Sequence, residues 1–302
     1  MYVVTGATGQ TGRVITETLL AKGKKVRAIG RKAEHLRSLV EKGAEAFVGS
    51  VTDGSAMLSA FHGAQAAYIM IPPKYDAENF RAYQNEVAKA YANAIRQEGI
   101  SYVVNLSSVG AHLSQGAGPI SGLYDVEQQL NQLKGVNIVH LRPGYFMENF
   151  FFNVDLIRNQ NVNGSPLRGD LPIPMIATRD IAEVAAQLLL SLDYSGQTTR
   201  ELLGQRDISM QEATGIIGKA IGKEGLAYVQ FSYEQAEQAM LEMGLSPDVA
   251  RSLNEMDRGL NEERVRPLEK RNTRNTTPTS FEQFAESFAA VYRGHAASHS
   301  SS

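Results

Sequence analysis

Short apolar runs alternate with amphipathic stretches through the first 140 residues. Residues 2–5, 25–29, 44–48, 66–71, 102–106 and 137–141 are nearly continuous runs of β-favouring side chains. Strands covered on both faces of a parallel sheet read this way. Helical stretches separate them, the longest over residues 76–98. Strand–helix alternation implies right-handed crossovers and an open, doubly wound α/β sheet.

Beyond Arg142 the pattern loosens. Asn163-Gly164 reads as a turn, and Pro166, Pro172 and Pro174 prevent a long helix there. Ile181, Val184, Ala185, Leu188 and Leu189 recur at helical spacing and predict an amphipathic helix. After Gly204 the chain reads as mostly helical. Ser246-Pro247 opens a helix striped by Val249, Leu253, Met256 and Leu260. Ser280 with Gln283 matches a capping box ahead of a last helix striped by Phe281, Phe284, Phe288 and Val291. The polar stretch 272–279 reads as a loop. The expected organisation is a sheet domain over residues 1–150 and a smaller, mainly helical C-terminal lobe over 151–292. Part of that lobe returns to the sheet near 201–203, and a tail at 293–302 lacks any apolar pattern. In open α/β folds ligands sit at the carboxyl ends of the strands, so the lobe is expected to close over that edge.

Composition narrows the chemistry. The 302 residues include no cysteine, which removes disulfides, thiolate catalysis and cysteine zinc sites. Of the six histidines only His295 and His299, in the C-terminal tail, stand four residues apart, and no metal is expected. The net charge of −2 and pI near 6.3 give no pull toward nucleic acid or anionic membrane. No secretory signal and no apolar run of ~20 residues is visible, so the expectation is a soluble cytoplasmic protein with a small-molecule partner. A homodimer through the helix at 76–98, or a regulatory protein partner, is left open.

Gly6-Ala7-Thr8-Gly9-Gln10-Thr11-Gly12 follows the first strand and opens a helix. In that context the glycines carry a dinucleotide-binding meaning. Gly6 makes the tight turn, Gly9 lets a pyrophosphate approach the backbone, and Gly12 lets the helix pack on the strand. Thr8, Gln10 and Thr11 complete the phosphate loop, and the helix N-terminus favours the phosphate charge. The domain is therefore expected to be Rossmann-type. NAD-selective sites usually end the second strand with an acid that holds the ribose 2′-hydroxyl. Here Arg31-Lys32 stands instead, suited to a 2′-phosphate, so NADP(H) is expected over NAD(H). Val51 and Asp53 should flank the adenine, although Asp53 equally suits a helix N-cap. Ile71 and Pro72 should border the ribose and pyrophosphate.

The glycine motif, Arg31-Lys32, Leu106-Ser107-Ser108-Val109-Gly110, Leu141-Arg142-Pro143-Gly144-Tyr145-Phe146-Met147-Glu148-Asn149 and Thr178-Arg179-Asp180-Ile181-Ala182 occur in this order. Together they resemble the NmrA-like branch of the atypical short-chain dehydrogenases/reductases. The resemblance implies a Rossmann fold that binds NADP(H), with a small C-terminal lobe. It leaves two activities open, since the branch holds NADPH-dependent quinone and dye reductases as well as redox-sensing regulators without turnover.

Typical members of that superfamily use a Ser, and a Tyr followed four residues on by a Lys that lowers the phenol pKa. The matching residues here are Ser107 or Ser108, with Ser108 favoured, and Tyr124. The Lys position is Gln128, which carries no charge, and the nearest cation, Lys134, is ten residues beyond Tyr124. A Tyr–Lys mechanism is therefore not expected. Hydride can instead pass directly from the cofactor to a stacked quinone-like or conjugated acceptor. Ser107, Pro143, Tyr145 and Phe146 are assigned to the nicotinamide end, with most of the neighbouring phenylalanines in core. His112, in the loop 110–118, is a further proton donor candidate, or simply a solvated histidine. The readings are thus an NADPH-dependent oxidoreductase or, as the alternative, a non-catalytic NADP(H) sensor acting through a protein partner. A nucleotide-sugar epimerase is disfavoured by Gln128.

Overall fold

Along each central strand, neighbouring apolar residues point to opposite faces, and both faces must be covered. The computed structural model describes residues 1–299, with side chains through residue 294. The first six strands are β1 (Tyr2–Val4), β2 (Val26–Gly30), β3 (Glu45–Val48), β4 (Ala66–Ile69), β5 (Tyr102–Leu106) and β6 (Asn137–Pro143). They are linked by α1 (Gln10–Ala21), α2 (Ala33–Glu41), α3 (Gly54–Phe61), α4 (Phe80–Glu98) and α5 (Pro119–Leu130).

Val4, Tyr68, Val104 and Val139 face one side of the sheet, against Ile15 and Leu19 of α1 and Leu36 and Leu39 of α2. Val3, Ala67, Val103 and Ile138 face the other, against Phe61 of α3, Tyr91 and Ile95 of α4, and Leu130 of α5. Burying each of the large side chains contributes roughly 1.5–3 kcal/mol. The helix expected from residue 76 begins at Phe80, because the Asn79 side chain accepts from Ala82 N and caps it there.

The chain beyond β6 first forms β7 (Tyr145–Phe146), a 3₁₀ segment (Met147–Asn153) and α6 (Val154–Gln160). Next come β8 (Val162–Ser165), β9 (Ile173–Ile176) and α7 (Thr178–Ser191), and β10 (Gln197–Leu202) then returns to the sheet. β10 pairs in parallel with β6, giving the seven-strand order β10-β6-β5-β4-β1-β2-β3. The returning strand expected near 201–203 is thus real and begins earlier. α7 completes one face by packing Ile181, Ala185 and Leu189 into the same cluster as α1.

The turn expected at Asn163-Gly164 is instead part of β8. That strand runs parallel to β12 (Ala227–Gln230). A Cβ on Gly164 would lie 2.5 Å from the Phe231 ring and 2.8 Å from Val229 O, so this glycine serves close strand approach. The turn falls at Asn161, whose φ is +56°.

The rest of the C-terminal region holds β11 (Asp207–Ile208), α8 (Met210–Ala220), α9 (Tyr233–Glu242), α10 (Pro247–Asn261) and α11 (Phe281–His299). Phe281, Phe284 and Phe288 form the core there with Phe150, Ile173 and Ile217. The Ser280–Gln283 capping box is present in both directions. The loop 272–279 is polar and mostly exposed, but it buries Asn275, Thr277 and Thr279, and Thr279 N and Oγ1 both donate to the buried Asp180 carboxylate. α11 runs past Val291 into the stretch set aside as a tail, while residues 300–302 lie outside the described residues. No helix among the described residues is long and apolar enough to cross a membrane.

Candidate active site

The glycine turn sits at the carboxyl end of β1, where the strand order reverses toward β2 on one side and β4 on the other. Ligands of open α/β sheets collect at this point. Gly6 takes φ +59°, and a Cβ there would press on the Met70 sulfur at 2.7 Å. At Gly12 a Cβ would meet Gly6 O at 2.3 Å, so the helix rests directly on the turn. Gly9 is the N-cap of α1 and supplies no side-chain cap. The N–H groups of Gln10, Thr11 and Gly12 find no acceptor among the described residues. Thr8, Gly9 and Gln10 are exposed. An open glycine turn under an uncapped helix N-terminus fits a pyrophosphate. Thr11 differs from expectation in one respect: its hydroxyl is buried against Tyr68 Oη at 2.9 Å, so only its backbone faces the turn.

Arg31 and Lys32 are exposed at the end of β2, with Lys32 Nζ 3.7 Å from Glu34. Val51 is half-buried beside the α3–α4 core. The Asp53 carboxylate is occupied as an N-cap, accepting from Ser55 N and Ala56 N, so the capping alternative is the one realised.

From Met70 the site opens into a cavity of about 380 Å³, within the range of small-molecule pockets. Met70, Ile71 and Pro73 contribute from beyond β4; Ser107, Ser108 and Val109 from beyond β5. Pro143 ends β6, and Tyr145 and Phe146 follow it. Pro72 does not line it, because the chain turns its carbonyl to Tyr83 Oη and presents Pro73 instead. The far wall is the apolar stripe of α10: Val249, Leu253, Met256 and Leu260. Ser246 holds that helix in place, through N to Tyr75 O (2.8 Å) and Oγ to Ala77 O (2.5 Å). Asp248 Oδ2 accepts from Phe80 N at 2.8 Å. No cavity-lining side chain carries a full charge.

Tyr145 packs edge-on to Phe150, and burial pushes its hydroxyl above the usual phenol range. Phe150 and Phe151 turn into the C-terminal core, as expected for most of that aromatic run.

The two catalytic candidates part company. Ser108 lines the cavity, with its Oγ donating to Val109 O at 2.9 Å. Tyr124 does not line it: α5 turns Ile120 and Leu123 that way, and Tyr124 lies further round the helix. Gln128 is exposed. His112 also lies off the cavity; burial and the nearby Arg142 lower its pKa, which favours the neutral ring. Its loop is tied down by Arg264 on Gly116 O (2.7 Å) and Arg81 on Ser114 O (2.9 Å).

Two buried groups escaped the sequence reading. Glu127 of α5 accepts from Ser107 Oγ at 2.5 Å and takes both ends of the Arg142 guanidinium. Gln84 Oε1, in the cavity wall, is buried with no partner among the described residues. A lone Glu or Gln on a helix carries no sequence signal of burial.

Beside this pair, His140 accepts from Asn105 Nδ2 at its Nδ1 (3.0 Å) and donates from Nε2 to Asn131 Oδ1 (3.0 Å). Both ring nitrogens are satisfied only in the neutral form, and burial pushes the pKa down to about 4 from 6.5. The unfolded chain therefore takes the proton first as pH falls. Stability should drop by roughly 3 kcal/mol between pH 6.5 and 4. The half-buried Asp257, whose carboxyl burial raises to about 7, works in the opposite direction over an overlapping range. Denaturant melts of the parent and His140→Gln across this interval isolate the histidine term. The variant should show a visibly shallower acid loss, and equal slopes would remove the assignment.

A parallel sheet with a glycine turn at its switch point and an apolar cavity beyond it defines a Rossmann-type protein of the dinucleotide-binding kind. The chain belongs to the NmrA-like family, whose model matches residues 2–286. An NAD(P)H azoreductase from Xenophilus azovorans is 27% identical over 256 residues, covering 85% of this chain and 86% of that protein. The structure of an NADPH-dependent quinone oxidoreductase from Escherichia coli, complexed with NADPH, superposes with a TM-score of 0.73 at 20% identity, covering 95% of this chain and 99% of that one. A Citrobacter sp. triphenylmethane reductase complexed with NADP(H) gives 0.78 at 18% identity, covering 96% and 100%.

Proposed function

We propose that the protein is an NADPH-dependent oxidoreductase that delivers hydride directly to a quinone-like or conjugated acceptor, without a Tyr–Lys pair. The observation that carries this reading is the uncharged cavity whose wall residue Met70 lies directly against Gly6 of the glycine turn. The azoreductase, quinone oxidoreductase and triphenylmethane reductase relatives support it.

The backbone N–H groups of α1 would hold the pyrophosphate, and Arg31 and Lys32 the 2′-phosphate. Val51 and Asp53 would border the adenine end, Ile71 and Pro72 the ribose and pyrophosphate, and Ser107, Pro143, Tyr145 and Phe146 the nicotinamide end. When bound, the reduced nicotinamide supplies the hydride. The chain's own task is to orient a flat acceptor against it and exclude water, which the α10 stripe and Tyr145 are placed to do. With Tyr124 off the cavity and Gln128 exposed, no phenol is primed to pass a proton.

The test is NADPH oxidation followed at the nicotinamide absorbance band with menadione and an azo dye as acceptors. Turnover is expected, and Tyr124→Phe should keep it within about twofold. Arg31→Ala combined with Lys32→Ala should weaken NADPH binding roughly 10- to 100-fold and leave NADH within about threefold. Tight NADPH binding with no turnover over a broad acceptor panel would replace this reading with the redox sensor.

A further inference from the structure

Ser107 stands in the cavity wall at the end of β5, and its single proton is already committed. Its Oγ donates to Glu127 Oε1 at 2.5 Å. Arg142 closes the other side, Nε to Oε1 at 3.0 Å and Nη2 to Oε2 at 2.5 Å. Ser107, Glu127 and Arg142 are only 4%, 1% and 9% exposed. An ionised carboxylate accepts and never donates, and a hydroxyl has one hydrogen and two lone pairs. The direction of the Ser107–Glu127 bond is therefore fixed, and what Ser107 offers the cavity is a lone pair. It cannot serve as a proton donor to a substrate oxygen. Ser108 has likewise given its proton to Val109 O.

A fixed acceptor at this place calls for an N–H or O–H partner. A quinone-like acceptor has none at its reacting end. The cofactor offers ribose hydroxyls and, at its reacting end, the carboxamide N–H of the nicotinamide, which is the donor attached to the ring itself. β5 lies two strand spacings from β1, roughly 10 Å across the sheet, with β4 between them. A dinucleotide whose pyrophosphate rests on the β1 turn would send one nucleoside over that distance.

We propose that Ser107 accepts a hydrogen bond from the nicotinamide carboxamide N–H, with Glu127 and Arg142 as positioning residues that fix its orientation. The contact selects which face of the ring looks toward the α10 side of the cavity. The proposal rests on the cofactor assignment above and adds a role for Ser107 opposite in sign to that of a proton-donating serine.

Calorimetric binding with three oxidised nucleotides tests it without any turnover. These are NADP⁺, its thionicotinamide analogue, which keeps the amide NH₂, and its 3-acetylpyridine analogue, which has a methyl in that place. The parent protein should bind the first two about tenfold more tightly than the third, the worth of one hydrogen bond. Ser107→Ala, which leaves the Glu127–Arg142 pair in place, should compress that ratio to within about twofold while its affinity for the acetylpyridine analogue stays near the parent's, with a lower melting temperature from the hydrogen bond lost to the buried carboxylate. Glu127→Gln, where it folds, should erase the preference as well, because the new amide can donate to Ser107 and free its proton. Binding of all three nucleotides by the parent with equal affinity, or a preference that survives Ser107→Ala, overturns the proposal alone. No binding of any nucleotide overturns the cofactor assignment and this proposal with it.

Discussion

Gly12→Ala is expected to lose at least a hundredfold in NADPH affinity and to destabilise the fold by about 3 kcal/mol. The added methyl would stand 2.3 Å from Gly6 O, 2.8 Å from Gly6 C and 3.0 Å from Ala7 Cα. All three are backbone atoms, so no side-chain rotation relieves the clash. The helix must lift off the turn, and its first N–H groups leave the place where a pyrophosphate would meet them. Gly215 is the control, since a Cβ there meets nothing within 4 Å inside α8, and Gly215→Ala should be neutral or slightly stabilising. Calorimetry gives the affinity and urea denaturation the stability. A Gly12→Ala protein that binds NADPH within tenfold of the parent would show that the turn is not the phosphate site.

Arg142→Leu should cost about 3–5 kcal/mol, more than most single substitutions. The guanidinium contributes two of the three hydrogen bonds that reach the Glu127 carboxylate. Without it, a carboxylate only 1% exposed keeps a single hydroxyl partner. Replacing both partners, Arg142→Leu with Glu127→Leu, should recover part of the loss, because the cost lies in the orphaned charge and not in the missing attraction. Denaturant midpoints of the two single variants and the double variant give the coupling directly. Additive losses would mean the two residues do not act as a unit.

The sheet was legible because its information is local. Strands with apolar residues on both faces, such as Tyr102–Leu106, admit few other interpretations, and a glycine motif between a strand and a helix defines its own geometry. The α10 stripe and the Ser280–Gln283 cap were readable for the same reason. Elements whose identity depends on a distant partner were not. Gly164 looks like a turn glycine until Phe231 and Val229 lie against it. Pro72 and Pro73 are equivalent in sequence, and only the Tyr83 contact decides which one faces the cavity. The same holds for the site: the serines could be named from the strand they follow, but the direction of the Ser107 hydrogen bond depends on Glu127, twenty residues further on.

The return of the chain to its own sheet has a consequence for synthesis. β10 pairs with β6, and α7 buries Ile181 and Leu189 in the cluster that holds Ile15 and Leu19. A nascent chain emerging from the ribosome has its first six strands in hand by residue 143, but it then lacks both the strand that shields the β6 edge and the helix that covers part of one face. Through the next 60 or so residues it carries an open strand edge and a greasy flank, the features that recruit holding chaperones and seed aggregation. Arrest or truncation in that interval should leave a sticky intermediate, and the protein becomes safe to release only after Leu202 has been added.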